Sequence, residues 1–359
     1  MFKTFQHLRW IIVGLTAVVL FHVTIENTAA KKWEVVSQLP TGRSAFSTAV
    51  VEGKIYVIGG TLLENESSGP FGLSTVEVYN PHNNSWKKVA DMPTPRSNAG
   101  AAVVDGKIYV VGGLAATDRR MESTKILKVV EVYDPQTDTW ERKQDMSQPR
   151  LSFGIGVVGR KIYAIGGANF LENQWRLDHV EAYDPDTDVW HNRPSLLTRR
   201  DGFETAVIED SIYVIGGRGW PSIAQNGPYL ATIDVYEPGN RWRKKTDLPS
   251  LRYGFSSVVV ADEIYLIGGL EGGAFDQHVK TVESYHPKAG MWRIRKPMPI
   301  GNTPFGVATV NQKIYILGSE REGGELSLDV EVFKVVGVRA TDKLPVRWGD
   351  LKVQDVTQP

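Results

Sequence analysis

Five arginines, Arg43, Arg96, Arg150, Arg200 and Arg252, recur at intervals of 50–54 residues, and Asn302 holds the sixth place. A carboxylate recurs beside them in each stretch: Glu77, Glu131, Glu181, Asp234, Glu283 and Glu331. A guanidinium is a planar fork of donors that matches a carboxylate at two points. Such a series has two uses. Each arginine pairs with the carboxylate of its own stretch and stays inside the fold, or the arginines stay open and grip a carboxylate-bearing ligand. The residues alone leave both open.

Repetition argues for structure, so the breaks in it are the better site candidates. Glu204 stands where the other stretches have Ser47, Gly100, Gly154, Ser256 and Gly306. A carboxylate among small residues needs a partner or a role, such as that of a general base. Arg199 doubles the arginine of this stretch, and Asp201 follows. The same stretch carries Trp220 and Tyr229, and the preceding one carries Trp175 and Arg176. Aromatic rings with arginine on one rim suit a sugar or a peptide; equally, such rings tuck onto the sheets beneath them.

The seven histidines show no metal-ligand spacing, and there is no GxSxG or phosphate-binding loop. Cysteine is absent, which removes disulfides, thiolate metal sites and thiol nucleophiles. No metal and no cofactor is expected. Lysine plus arginine equals aspartate plus glutamate, so the basic excess of a nucleic-acid binder is missing. Hydrophobic content of 42% supports a sizeable core.

The elements that must position these residues are repeats. "KIYVIGG" at 54–60 returns at 107–113, 161–167, 211–217 and 263–269, and as "KIYILGS" at 313–319. Each copy follows a short apolar stretch such as "SAFSTAVV" (44–51) across a two-residue turn, Glu52-Gly53 or Asp105-Gly106, of the kind that needs positive φ. "VEVY" (76–79) and its copies alternate as a third strand, and Trp86, Trp140, Trp190, Trp242 and Trp292 open a fourth. The sixth copy has no such tryptophan, whereas "KWEVVSQLP" (32–40) is a fourth strand with no unit of its own. The expected fold is therefore all-β: a six-bladed β-propeller, closed when the N-terminal strand completes the last blade. The tryptophans and the repeated tyrosines are expected to pack between blades.

The IYxxGG, VExYxP and tryptophan spacing resembles the kelch-repeat family over about 33–336. That resemblance implies a six-bladed kelch propeller, in some members of which arginines at the mouth hold acidic peptides. The copper chemistry of the galactose-oxidase kind needs a Tyr–Cys crosslink and so is excluded by the absence of cysteine. The resemblance to the exported N-acetylneuraminate mutarotases, a kelch class acting on an acidic sugar, implies a rival enzyme reading with Glu204 as general base.

With the four strands of each unit lettered a to d in chain order, from the apolar stretch (44–51 in the first unit) through 54–60 and 76–79 to the strand opened by Trp86, the a–b and c–d turns lie on one face, and the b–c and d–a connections on the other. The b–c connections are long and all different, as binding loops on a rigid scaffold are. Residues 1–30 combine a basic start, an apolar run of 14 residues at 10–23 and small residues before Lys31. They read as a signal peptide, with an uncleaved N-terminal anchor as the alternative. The domains expected are 1–30 leader, 31–337 propeller and 338–359 tail. The function expected is a secreted, periplasmic or extracellular module that binds a protein or glycan, carboxylate-bearing in one reading. It acts without nucleic acid and without membrane contact beyond the leader. The ligand-binding candidates are Arg43, Arg96, Arg150, Arg199, Arg200, Arg252, Trp175, Arg176, Trp220 and Tyr229.

Overall fold

Alternating small and β-branched residues form the innermost strands of six antiparallel sheets. In the computed structural model these strands are Ser47–Val51, Gly100–Val104, Gly154–Val158, Glu204–Ile208, Ser256–Val260 and Val307–Val310. The structure describes residues 33–63, 72–115, 124–170, 176–219, 228–271 and 277–335. The 1–30 and 338–359 segments therefore lie outside the described residues. Each inner strand touches the inner strand of the next blade, and Val307–Val310 touches Ser47–Val51 in turn.

Blades 1 to 5 each run a-b-c-d from the centre outward. In blade 1 the strands are Ser47–Val51, Lys54–Ile58, Val76–Asn80 and Ser85–Val89. The turn between the first two has φ of 49° at Glu52 and 71° at Gly53, the left-handed pair that a tight hairpin requires. Strands b and c are buried on both faces, whereas strand d alternates toward solvent.

Blade 6 departs from this pattern. Its strands b and c extend to nine residues each, Lys313–Arg321 and Leu326–Lys334, joined by a short 3-10 turn at Glu322–Gly324. The variable connection expected at 320–329 is thus mostly strand. The ladder shifts register once, between Leu317 and Ser319, and at its end the N–H of Arg321 donates to the Glu325 carbonyl at 2.8 Å. Strand d of this blade is Glu34–Gln38, which pairs antiparallel with strand c from Glu34↔Val332 to Gln38↔Asp329.

The ring is also joined through side chains. Trp140, Trp190 and Trp242 donate their indole N–H to the backbone carbonyls of Ala90, Gln144 and Pro194 in the preceding blade, at 2.9–3.0 Å. Trp86 makes the same reach at 2.9 Å, but to the Ser37 hydroxyl on the N-terminal strand. Tyr56 packs on Tyr133 of blade 2 and Tyr79 on Tyr315 of blade 6, with centroids 6.1 and 6.2 Å apart. Trp33, 8% exposed, stacks on Phe333 at 4.9 Å. The seams are tight as well: a Cβ on Gly154 would stand 2.5 Å from the Phe203 ring of blade 4.

Trp33→Ala removes a large ring from the closing seam and is expected to cost about 3–5 kcal/mol of stability. Urea unfolding of the variant should show a lower midpoint; an unchanged midpoint would mean that closure does not run through this strand.

Candidate functional site

The d–a connections bring the repeated arginines to the start of each inner strand, where they turn inward. All five are 0–1% exposed. Each pairs with the carboxylate of its own strand c: Arg96–Glu131 at 2.5 Å, Arg150–Glu181 at 2.7 Å and Arg200–Asp234 at 2.5 Å, with Arg43–Glu77 and Arg252–Glu283 likewise. Nη1 of each also donates to the carbonyl of the first glycine after strand b: Gly59, Gly112, Gly166, Gly216 or Gly268. The guanidinium therefore fastens the end of strand b to strand c beneath the loops. Burial pulls Arg96 down to about 10, against the opposing pull of Glu131. Of the two uses open to this series, the geometry takes internal pairing. The structure corrects the expectation that Arg43, Arg96, Arg150, Arg200 and Arg252 grip a ligand, because all five are buried and their terminal nitrogens already bond carboxylates and carbonyls inside the fold.

Blade 6 solves the same problem with another residue. Asn302 replaces the arginine, and Glu331 instead accepts from Arg321 of the extended strand b at 3.3 Å. Arg321 also bonds Asp329 at 3.1 Å. The length of strand b brings Arg321 within reach of the orphaned carboxylate.

The residues that break the repeat gather around blades 3 to 5. Glu204 points from its inner strand into the seam with blade 5, toward Ser257, whose hydroxyl donates to it at 3.2 Å. The residue is half-buried, yet protein surrounds its carboxyl. This burial pushes it up to about 7, while the hydrogen bonds from the Ser257 hydroxyl and backbone N–H pull the other way. No ion pair reaches Glu204 among the described residues. It is a carboxyl poised near neutrality, able to give or take a proton at the channel wall.

Above it on the rim, Asp201 is held between Arg176 at 3.0 Å and Arg218 at 3.3 Å, so blades 3 and 4 are tied through one carboxylate. Arg176 is buried in this bridge. Arg199 stays exposed and pairs with Asp178 at 3.3 Å, a contact worth about 0–1 kcal/mol. Tyr229 lies flat on Tyr253 of the next blade, with centroids 4.2 Å apart and planes 4° from parallel. Trp175 and Trp220 lie outside the described residues.

Sequence reasoning missed Arg218, Tyr253, Ser257 and Arg321. Tyr253 carried a usable signal: it follows the repeated arginine where the other units have Ser44, Ser97, Leu151, Asp201 and Thr303. The test that singled out Glu204 finds it too. Among the described residues no three histidine or acidic side chains come together as a metal group would need.

Six antiparallel sheets about a common centre, five of four strands and one of five, tied by inter-blade tryptophans and buried Arg–carboxylate staples, define a β-propeller of the repeat type. The chain belongs to the kelch-repeat family: residues 14–217 match the KLHDC2/KLHL20/DRC7 Kelch-repeats domain, and residues 199–249 and 251–299 match the Kelch motif. Its curated relatives include Kelch-like protein 35 of Mus musculus, 25% identical over 85% of this chain and 40% of that protein. Alpha-scruin of Limulus polyphemus is 28% identical over 42% of this chain and 16% of its own length. Kelch-like ECH-associated protein 1B of Danio rerio is 34% identical over 36% of this chain and 20% of its own. The chain thus spans 40% or less of the length of these relatives. Among solved structures, that of YjhT superposes with a TM-score of 0.69 over 84% of this chain and 97% of its own, at 19% identity, a likeness of fold.

Two predictions test these assignments. Arg96→Met strands the buried Glu131 and is expected to cost about 3–5 kcal/mol, much of it recovered when Glu131→Met is added. A double-mutant cycle by chemical denaturation reads this, and additive losses would contradict the pairing. For Glu204, the folded value of about 7 lies above the ordinary 4.5. The native state therefore holds the extra proton between these values, and stability tied to this group falls as pH rises through that window. The stability difference between wild type and Glu204→Gln should shift between pH 4.5 and 8; a constant difference would contradict the assignment.

Proposed function

We propose that the chain is an exported binding module that seats a protein or glycan ligand on the b–c/d–a loop face, around blades 3 to 5. One observation carries the reading. Among the described residues, Arg176, Asp201 and Arg218 join blades 3 and 4 through one carboxylate, and Tyr229 stacks on Tyr253 between blades 4 and 5, so charge and aromatic surface that depart from the repeat gather on this part of the rim. Turns of two to four residues on the opposite face leave little chain for recognition, whereas the loop face varies over a rigid base. Stacked tyrosines beside an Arg–Asp–Arg bridge offer a flat apolar surface edged by polar groups, as a sugar ring or peptide plane needs. One relative, Kelch-like ECH-associated protein 1B, is named for an association, which agrees with a partner-binding role. Export follows from reading residues 1–30 as a signal peptide.

A second reading, an acidic-sugar isomerase at the channel mouth, rests on Glu204 held near neutrality. The withdrawal of the five repeated arginines into internal pairs takes from this reading the ring of cations on which it drew, so binding is preferred.

A glycan array and a panel of acidic peptides, probed with the labelled chain, test the first reading. Tyr229→Ala is expected to weaken capture at least tenfold, and Lys288→Glu on the short-turn face to leave it unchanged. Capture lost through Lys288→Glu and kept in Tyr229→Ala would place the site on the wrong face. Anomer exchange of N-acetylneuraminate, followed by NMR and abolished in Glu204→Gln, would favour the second reading.

A further inference from the structure

The face opposite the loops carries a feature that the proposed function does not use. At the seam of blades 1 and 2, beside the short turns, a cavity of about 250 Å³ is lined by Lys54, Lys87, Asn80, Ser85, Tyr56 and Asp138 among others. The pocket is half open to solvent and has room for a small organic ion.

The repeat explains why this cavity is cationic. In blades 2 and 3 the lysine that opens strand b pairs with the aspartate that closes strand c: Lys107–Asp134 at 3.0 Å and Lys161–Asp184 at 2.5 Å. Blade 1 has Lys54 and Asn80 in these places. The register is the same, Ile55↔Tyr79 matching Ile108↔Tyr133, so Lys54 faces Asn80 as Lys107 faces Asp134. Asn80 is neutral, and its side-chain oxygen already accepts from the His82 N–H at 3.0 Å. Neither Lys54 nor Lys87 forms an ion pair among the described residues.

The acid in the lining is already engaged. Asp138 accepts from the Tyr133 hydroxyl at 2.7 Å and from the Ala90 N–H at 2.8 Å, both on one oxygen. Those bonds, with the field of Lys87, hold it below the usual carboxylate range. Glu52, on the adjoining turn, acts on Tyr56 and makes no ion pair with Lys54. Two ammonium groups against one committed carboxylate leave the cavity short of negative charge, with hydroxyl groups from Ser85 and Tyr56 in its wall.

We propose that this seam binds a small organic carboxylate, held between Lys54 and Lys87 where the aspartate of blades 2 and 3 is missing. The proposal rests on blade 1 and stands or falls independently of the loop-face ligand.

The test titrates the full chain with succinate, and separately with inorganic phosphate, following backbone amide shifts by NMR. Succinate should give saturable shifts confined to residues around 54–56, 80–87 and 133–138. Asn80→Asp installs the ion pair native to blades 2 and 3, so the fold is kept while succinate binding weakens at least tenfold. Lys54→Met and Lys87→Met should each weaken it similarly. Wild-type chain without saturable shifts at this seam, or undiminished binding in Asn80→Asp, overturns the proposal. A saturable response to phosphate with none to succinate overturns the assignment to a carboxylate.

Discussion

A closed circle of sheets leaves no blade without two neighbours, and that condition holds only if some strand joins the first blade to the last. Here the join is the pairing of Glu34–Gln38 with Leu326–Lys334. An open ring would expose a seam of apolar residues and an unpaired strand edge. The same strand supplies the Ser37 hydroxyl to Trp86, the one inter-blade tryptophan bond that crosses from last blade to first. The geometry of both faces depends on this closure, because a gap at one seam would let the inner strands spread and the channel wall open.

Within that ring, charge is used in two ways. The repeated arginines are interior fasteners: buried, paired and bonded to carbonyls, they take up the polar groups at the ends of strands b and c. A buried charge tolerates no vacancy, since an unpartnered carboxylate would lose its solvation without compensation. Blade 6 shows the constraint acting, as Arg321 reaches Glu331 from another strand when Asn302 takes the arginine's place. Charges that stand outside this pattern are therefore informative. Among the described residues Glu204 accepts from Ser257 and meets no cation, and Lys54 faces Asn80 across the strands and meets no acid.

Much of this was legible in the residues. Turn pairs such as Glu52-Gly53, the alternation of strand c and the tryptophan offset are local signals, and they repeat, so error at one unit is corrected by the other five. The surplus "KWEVVSQLP" and the missing sixth tryptophan predicted the closing strand. The candidate site was legible in part: Glu204, Arg176 and Tyr229 were named as breaks, while Tyr253 went unremarked although it breaks the same pattern. The fate of the arginines was not decidable, because the same spacing serves a staple and a grip.

The sequence by itself determined the number of blades, the order of strands and the way the circle is joined, because hydrogen-bonded register follows from a two-residue period and from turn chemistry. Only the tertiary structure decided which groups face one another across the seams. Arg96 and Glu131 lie 35 residues apart in the chain, and Glu204 and Ser257 lie 53 apart. Partners at such separations are set by sheet twist and by blade-to-blade packing within a few ångströms, distances that no local pattern encodes.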